Sequence, residues 1–359
     1  MGDDSLASFV NAVSGQDMLA VEERFEGGYV RLRTAEAQRR QAKHDIRCVE
    51  DIVIELLRNA RDAAARRIYV ATTRADATRT LVVLDDGDGI PPNMHELVFE
   101  PRVTGKLETM VVDSWGVHGR GMALYSIACN VEHAGVFSSD AGLGTSLGVT
   151  ADTAQLPEKA DQSTAPLLAK DEDGKLQVAR GPHNIVRTAV EFALEEKEHV
   201  TVYLGSPAEI VATLRAHGAK QLDDEQLLFC DDIGTLPVCL RPAAAADAAE
   251  LVAISEQLGL CISERTAHRV LAGQIHPVSS LLKSLDRTRA SHTQHHEQAL
   301  YKDSRGLKIA PEDLERFSHA LQDSFEPLAE RYFLELNAAP KIRVGKDGIT
   351  VTFSIDKKL

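Results

Sequence analysis

The sequence predicts an α+β fold: an α/β sandwich of mixed sheet with helices on one face, then a mixed, mostly helical C-terminal region. Three observations carry this. A long helical pattern over about 46–66 holds Ile52, Leu56, Ala60 and Ala63 on one apolar stripe. Two apolar strand patterns follow, at 67–73 and 79–85. After a loop-rich segment, a helix from about 119 leads into two more, at 131–138 and 145–150. Helices separated by paired strands make a layered sandwich.

The chain has 359 residues, enough for two domains of ordinary size. Its hydrophobic (43%) and charged (26%) fractions are those of a soluble globular protein. The formal net charge of −14 argues against a surface devoted wholesale to DNA or anionic membrane and leaves room for a local basic patch. No apolar run reaches the ~18 residues of a membrane span, and the N-terminus MGDDSLASF lacks a basic start before an apolar core. The expected location is the cytoplasm, with no membrane partner. The five cysteines (Cys48, Cys129, Cys230, Cys239, Cys261) are odd in number and contain no CxxC, which predicts reduced, mostly buried thiols.

Four segments are expected: 1–151 as the first domain with an N-terminal extension, 152–175 as a linker or long loop, 176–241 as a βαβα-like unit, and 242–359 as a mostly helical region with a terminal hairpin. The linker reading rests on "DTAQLPEKADQSTAPLLAKDEDGK", rich in Pro, Ser, Asp and Lys without periodicity. Beyond it, helices are expected over 183–197 and 206–218, the second capped by Ser206, with a strand between them. A helix over 311–337 is expected to serve as core or dimer interface. The hairpin is expected to turn at 346–348.

The chemistry lies in four motifs. In "EDIVIELLRNARDAAARR", Glu55, Asn59 and Asp62 share a helix face away from the apolar stripe. An Asn there offers a hard side-chain oxygen to Mg²⁺, and Glu55, one turn earlier, can activate a water. In "LDDGDGIPPNMHELVFEPRVTGK", Asp85 ends a strand and can accept from an exocyclic amine, while Gly87 and Gly89 permit close backbone approach to a planar ligand. "WGVHGRGMALYSIA" places Gly116, Gly119 and Gly121 directly before an apolar helix, an arrangement suited to phosphate. "GLGTS" precedes the last strand and carries Thr145.

Each motif alone is common; their order within about one hundred residues resembles the GHKL superfamily of ATP-binding domains, over roughly 45–151. That superfamily comprises gyrase-type topoisomerases, heat-shock chaperone ATPases, histidine kinases and MutL. The resemblance implies a Bergerat-type fold with ATP and Mg²⁺ in a cleft under a lid spanning about 102–118. It implies that Asn59 holds the metal, Asp85 the adenine amine, Gly87 and Gly89 the base, Gly119 and Gly121 the phosphates, and that Thr145 supports the adenine end. It also implies nucleotide contacts from Asp62, Ile90, Gly116, Arg120 and Met122.

Branch signals conflict. Glu55 four residues before Asn59, with Asp62-Ala63 after it, is similar to the hydrolase members and makes Glu55 the expected general base. "VFEPRVTGK" resembles the phenylalanine box of histidine kinases, and its Thr-x-Lys also resembles MutL, so Lys106 is expected at the phosphates. His44 lies too close to Glu55 for a phosphoacceptor helix hairpin to fit between them. The expected function is an ATPase coupling lid and dimer closure to a protein or DNA partner, with 176–241 as transducer. The alternatives are a kinase-like or non-hydrolytic signalling module, and a DNA-binding regulator using "ELVAISEQLGLCISERTAHRVLAGQ" (250–274) as a helix-turn-helix that presents Arg265, His268 and Arg269. The basic segment 283–308, with His292, His295 and His296, is expected to be solvated and partly disordered.

Overall fold

The computed structural model describes residues 21–25, 28–32, 36–104, 111–113, 116–118, 121–159, 161–170, 176–222, 232–285, 311–332, 334–336, 340–344, 349–353 and 355–357. The chain divides into two compact units, Met1–Leu285 and Asp286–Leu359.

The first unit is built on a five-stranded sheet of β3 (Arg67–Ala75), β4 (Thr78–Asp85), β8 (His133–Ser139), β9 (Thr145–Asp152) and β12 (Thr201–Gly205), in the order β12-β3-β4-β9-β8. β12 runs parallel to β3; the other neighbours are antiparallel. Against one face lie α2 (Val49–Asp62), α3 (Ala123–Ala128) and α4 (Ile185–Glu195). Ile52, Leu56 and Ala60 of the expected stripe are buried there with Ile68, Val70, Leu81 and Val83. α2 stops before the expected end because Ala64 takes φ +58 and the chain turns into β3.

The opposite face is covered too. Tyr69, Ala71, Val82 and Leu84 pack under α5 (Pro207–Gly218), α7 (Ala248–Gln257) and α8 (Glu264–Leu271), and α6 (Arg241–Ala244) lies against the end of α5. The sandwich of the first segment thus gains a second helical layer, and "LVVL" of β4, apolar without alternation, suits a strand buried on both faces. A capping box starts α5: Ser206 and Glu209 satisfy each other's backbone N–H groups.

Three expectations of organisation need correction. Residues 176–241 do not stand apart as a separate unit, since β12 extends the same sheet and α4 packs on α2. Residues 152–166 are docked rather than free. Leu156 is buried, Val49 N–H donates to the Pro157 carbonyl at 3.1 Å, and the buried Glu50 carboxylate accepts from Lys159 N–H at 3.1 Å. β10 (Leu167–Lys170) and β11 (Leu176–Arg180) then form a hairpin. Residues 258–263 join α7 to α8, longer than the ~3–4-residue turn of a helix-turn-helix. Leu258 and Leu260 in that connection are fully buried. Of the described cysteines, Cys48 and Cys239 are buried while Cys129 and Cys261 are exposed, against the expectation of mostly buried thiols.

In the second unit, α9 (Pro311–Tyr332) ends earlier than expected, and Phe317 and Tyr332 are exposed. Phe325 stacks on Phe353 at 4.5 Å. Its strands are β13 (Leu334–Leu336), β14 (Lys341–Val344), β15 (Ile349–Thr352) and β16 (Ile355–Lys357), paired antiparallel as β13–β16 and β14–β15. The turn at 346–348, and the basic segment from 286 with its histidines, lie outside the described residues.

Within the second helical layer, His217 Nδ1 lies 2.9 Å from the Tyr69 hydroxyl, and Tyr203 stacks on Tyr69. Burial pushes the His217 imidazole below its usual pKa, and the Arg67 and Lys220 charges push the same way. The unfolded chain therefore takes up this proton first. Stability is fully present above the ordinary histidine value of about 6.5 and falls as pH drops below it. Urea melts between about pH 7 and 5 are expected to show this acid loss in the wild type and a flatter limb in His217→Gln.

Candidate functional site

A cavity of about 840 Å³ opens between α2, the end of β4, the start of β9 and the segment entering α3. α2 contributes Glu55, Asn59 and Asp62, whose one-face spacing becomes one wall. Glu55 accepts from Arg58 Nη1 at 2.6 Å, and the Arg58 side chain is 5% exposed. Asp62 accepts from Arg61 at 3.1 Å.

Asp85 and Thr145 face each other across the β4–β9 ladder, both buried and both lining the cavity. Asp85 Oδ1 accepts from Gly87 N–H at 2.9 Å. Gly87 itself does not line the cavity: a Cβ there would lie 2.4 Å from the Ala63 carbonyl, so it serves the approach of β4's end to the end of α2. Gly89 does line it. At φ +74, with the Asp140 carbonyl 1.9 Å from where a Cβ would stand, this position admits only glycine.

Ile90 lines the cavity and is held by its N–H donating to Ser139 Oγ at 2.7 Å. Ser139 Oγ donates in turn to the Gly144 carbonyl at 2.8 Å and sits 3.2 Å from Thr145 Oγ1. Gly121 (φ +66) and Met122, at the N-cap of α3, also face the cavity. Gly116 begins β7 (Gly116–His118), which pairs with β6 (Val111–Asp113). Lys106, Gly119 and Arg120 lie outside the described residues.

This arrangement gathers, around one cavity, a polar helix face, a buried strand-end carboxylate with its threonine, and a glycine entering a helix. Residues 44–156 match the family described as histidine kinase-, DNA gyrase B- and HSP90-like ATPase. This domain belongs to the GHKL superfamily. Over 80 residues the chain is 45% identical to the DNA mismatch repair protein MutL of Thermus thermophilus, a stretch covering 22% of this chain and 14% of that protein. MutL of Chelativorans sp. is 42% identical over 76 residues, covering 21% and 12%. The likeness thus spans about 14% or less of those relatives' own length. The full-length ShkA crystal structure in complex with AMPPNP aligns at 17% identity and a TM-score of 0.22, covering 56% of this chain and 46% of that one, too low to carry an argument.

The GHKL cavity fits ATP and Mg²⁺ on its own chemistry. Asn59 Nδ2 is buried without a hydrogen-bond partner, so this amide has capacity to spare toward a ligand. A half-turn of the amide presents its oxygen to the same space, the hard donor that Mg²⁺ takes. Asp85, buried beside Thr145, matches an exocyclic amine.

Sequence reasoning missed Tyr29, Asp88, Arg102, Thr104 and Ser139. The first four line the cavity, and Ser139 braces Ile90 at its edge. Ser139 belongs to no motif. Asp88 and the Arg102–Thr104 stretch lie inside quoted motifs, which were the signal available.

Proposed function

We propose that the GHKL domain binds ATP with Mg²⁺ and hydrolyses it, with Glu55 as general base. The observation carrying this is that Glu55 lines the same cavity as Asn59 and Asp85, one helical turn from Asn59. Asp85 accepts from the adenine amine, Thr145 and Ser139 hold the base end, and Gly121 and Met122 border the phosphate end. Magnesium, when bound through Asn59, would neutralise charge on the transferred phosphoryl group. Glu55, held in place by its ion pair with Arg58, takes the proton of the attacking water. The molecular role inferred from the MutL likeness is a cytoplasmic ATPase that couples lid and homodimer closure to a protein or DNA partner. No helix among the described residues is long and apolar enough to cross a membrane.

Phosphate release from ATP and Mg²⁺, measured with and without duplex DNA, tests the reading. Turnover supports it, while label retained on the protein instead of free phosphate moves the assignment to the kinase-like alternative. Asp85→Asn is expected to weaken ADP binding by roughly ten- to a hundredfold in calorimetry, because a charged acceptor is exchanged for an amide that meets the base amine with either end. Unchanged ADP affinity in that variant would remove Asp85 from the base site.

A further inference from the structure

A side chain from outside the matched segment reaches the cavity. Tyr29 stands in the hairpin of β1 (Val21–Arg24) and β2 (Val30–Leu32), closed by Phe25 N–H donating to the Tyr29 carbonyl at 2.8 Å. β2 is laddered onto β5 (Val103–Thr104), pairing Val30 with Thr104 and Arg31 with Val103. Leu32 N–H donates to the Arg102 carbonyl at 3.1 Å, and Arg102 N–H to the Gly121 carbonyl at 2.8 Å. Arg31 ion-pairs with Glu23 and Glu100. Val30 and Leu32 are buried, so the hairpin is anchored on β5 rather than hanging free.

Tyr29 packs with Ile90 on the small cluster of Met94, Val98 and Val103, and it lines the cavity beside Asp88. Burial and the Asp88 charge both raise the Tyr29 pKa, so its hydroxyl stays a donor at neutral pH. Around the ring stand Ile90, Met94, Val98 and Val103 with the Asp88 carboxylate, surroundings that suit a nucleoside better than a phosphate.

We infer that Tyr29 is a nucleotide-binding residue that lays its ring on the nucleoside half of the ligand, base or ribose, from a hairpin fixed to β5. The assignment rests on the ATP-binding reading above. A planar aromatic ring contributes packing area at low entropic cost, and the phenol adds a directed donor.

The test is calorimetric titration of the full chain with ADP, adenosine and tripolyphosphate, in wild type, Tyr29→Leu and Tyr29→Phe. Leucine keeps apolar volume in the Met94 cluster, so folding is preserved and checked by melting temperature. Tyr29→Leu is expected to lose about tenfold in affinity for ADP and for adenosine, with tripolyphosphate unchanged and Tyr29→Phe falling between the two. Equal affinities of wild type and Tyr29→Leu for ADP overturn the assignment. So does a loss that is as large for tripolyphosphate as for adenosine, which marks a structural role. Wild type that binds none of the three defeats the ATP reading itself, an outcome separable from failure at Tyr29.

Discussion

Replacing Glu55 is expected to lower the rate of ATP hydrolysis by roughly 10²–10⁴-fold while leaving ADP affinity within about twofold, because a positioned general base contributes on that scale and acts only in the chemical step. The geometry makes the split between rate and binding sharp. Glu55 stands on the cavity wall with Asn59, whereas Asp85 and Thr145, the residues proposed for the base, stand at the paired ends of β4 and β9. Glu55→Gln is the better probe than Glu55→Ala. It keeps an acceptor for Arg58, whose guanidinium is nearly buried, so the helix face stays intact while the base is lost. Single-turnover phosphate release at saturating ATP reads the effect. A Glu55→Gln enzyme that hydrolyses ATP at the wild-type rate would sink the hydrolytic assignment and leave a nucleotide-binding module.

The cavity was largely legible in the sequence because its parts are local. Helical spacing alone puts Glu55, Asn59 and Asp62 on one face, and glycines before an apolar helix mark α3's entry. The packing roles were not legible. Gly87 and Gly89 look alike in the sequence, yet one yields to Ala63 and the other to Asp140, neighbours supplied by distant segments. The second helical layer shows the same limit. Periodicity in 206–271 predicts helices but not which sheet face they cover; the continuous apolar run of β4 was the one hint that both faces are buried. Tyr29 had no signal at all, since a three-residue strand carries too short a pattern to place, and its position depends on pairing with β5, more than seventy residues later.

The segment most thoroughly misread, 152–175, yields the other large effect. Its polar, aperiodic composition resembles a linker, but Glu158 is 5% exposed and forms an ion pair with Arg79 of β4, itself 8% exposed, with Arg74 at 3.0 Å beside it. Arg79 also donates to Thr72 on the neighbouring strand. Composition registers charge as solvent-seeking; it cannot see that two opposite charges are brought together and buried as a pair. Glu158→Ala strands the Arg79 guanidinium against β3 and is expected to destabilise the first unit by about 3–5 kcal/mol, the cost of breaking a buried pair from one side. In a unit of this size that corresponds to a fall in Tm of roughly 10 °C. The loss should not require the charges as such. Replacing Arg79 by Met and Glu158 by Leu together is expected to recover most of the stability, since apolar side chains of similar volume satisfy a buried position without a desolvation cost. A double-mutant cycle in urea therefore separates the two accounts. If Glu158→Ala melts within about 1 kcal/mol of wild type, residues 152–166 are a tether after all, and surface ion pairs of ordinary strength account for their contacts. If the loss is large and the apolar pair restores it, the loop is part of the sandwich, holding β4 in the register that pairs Asp85 with Thr145.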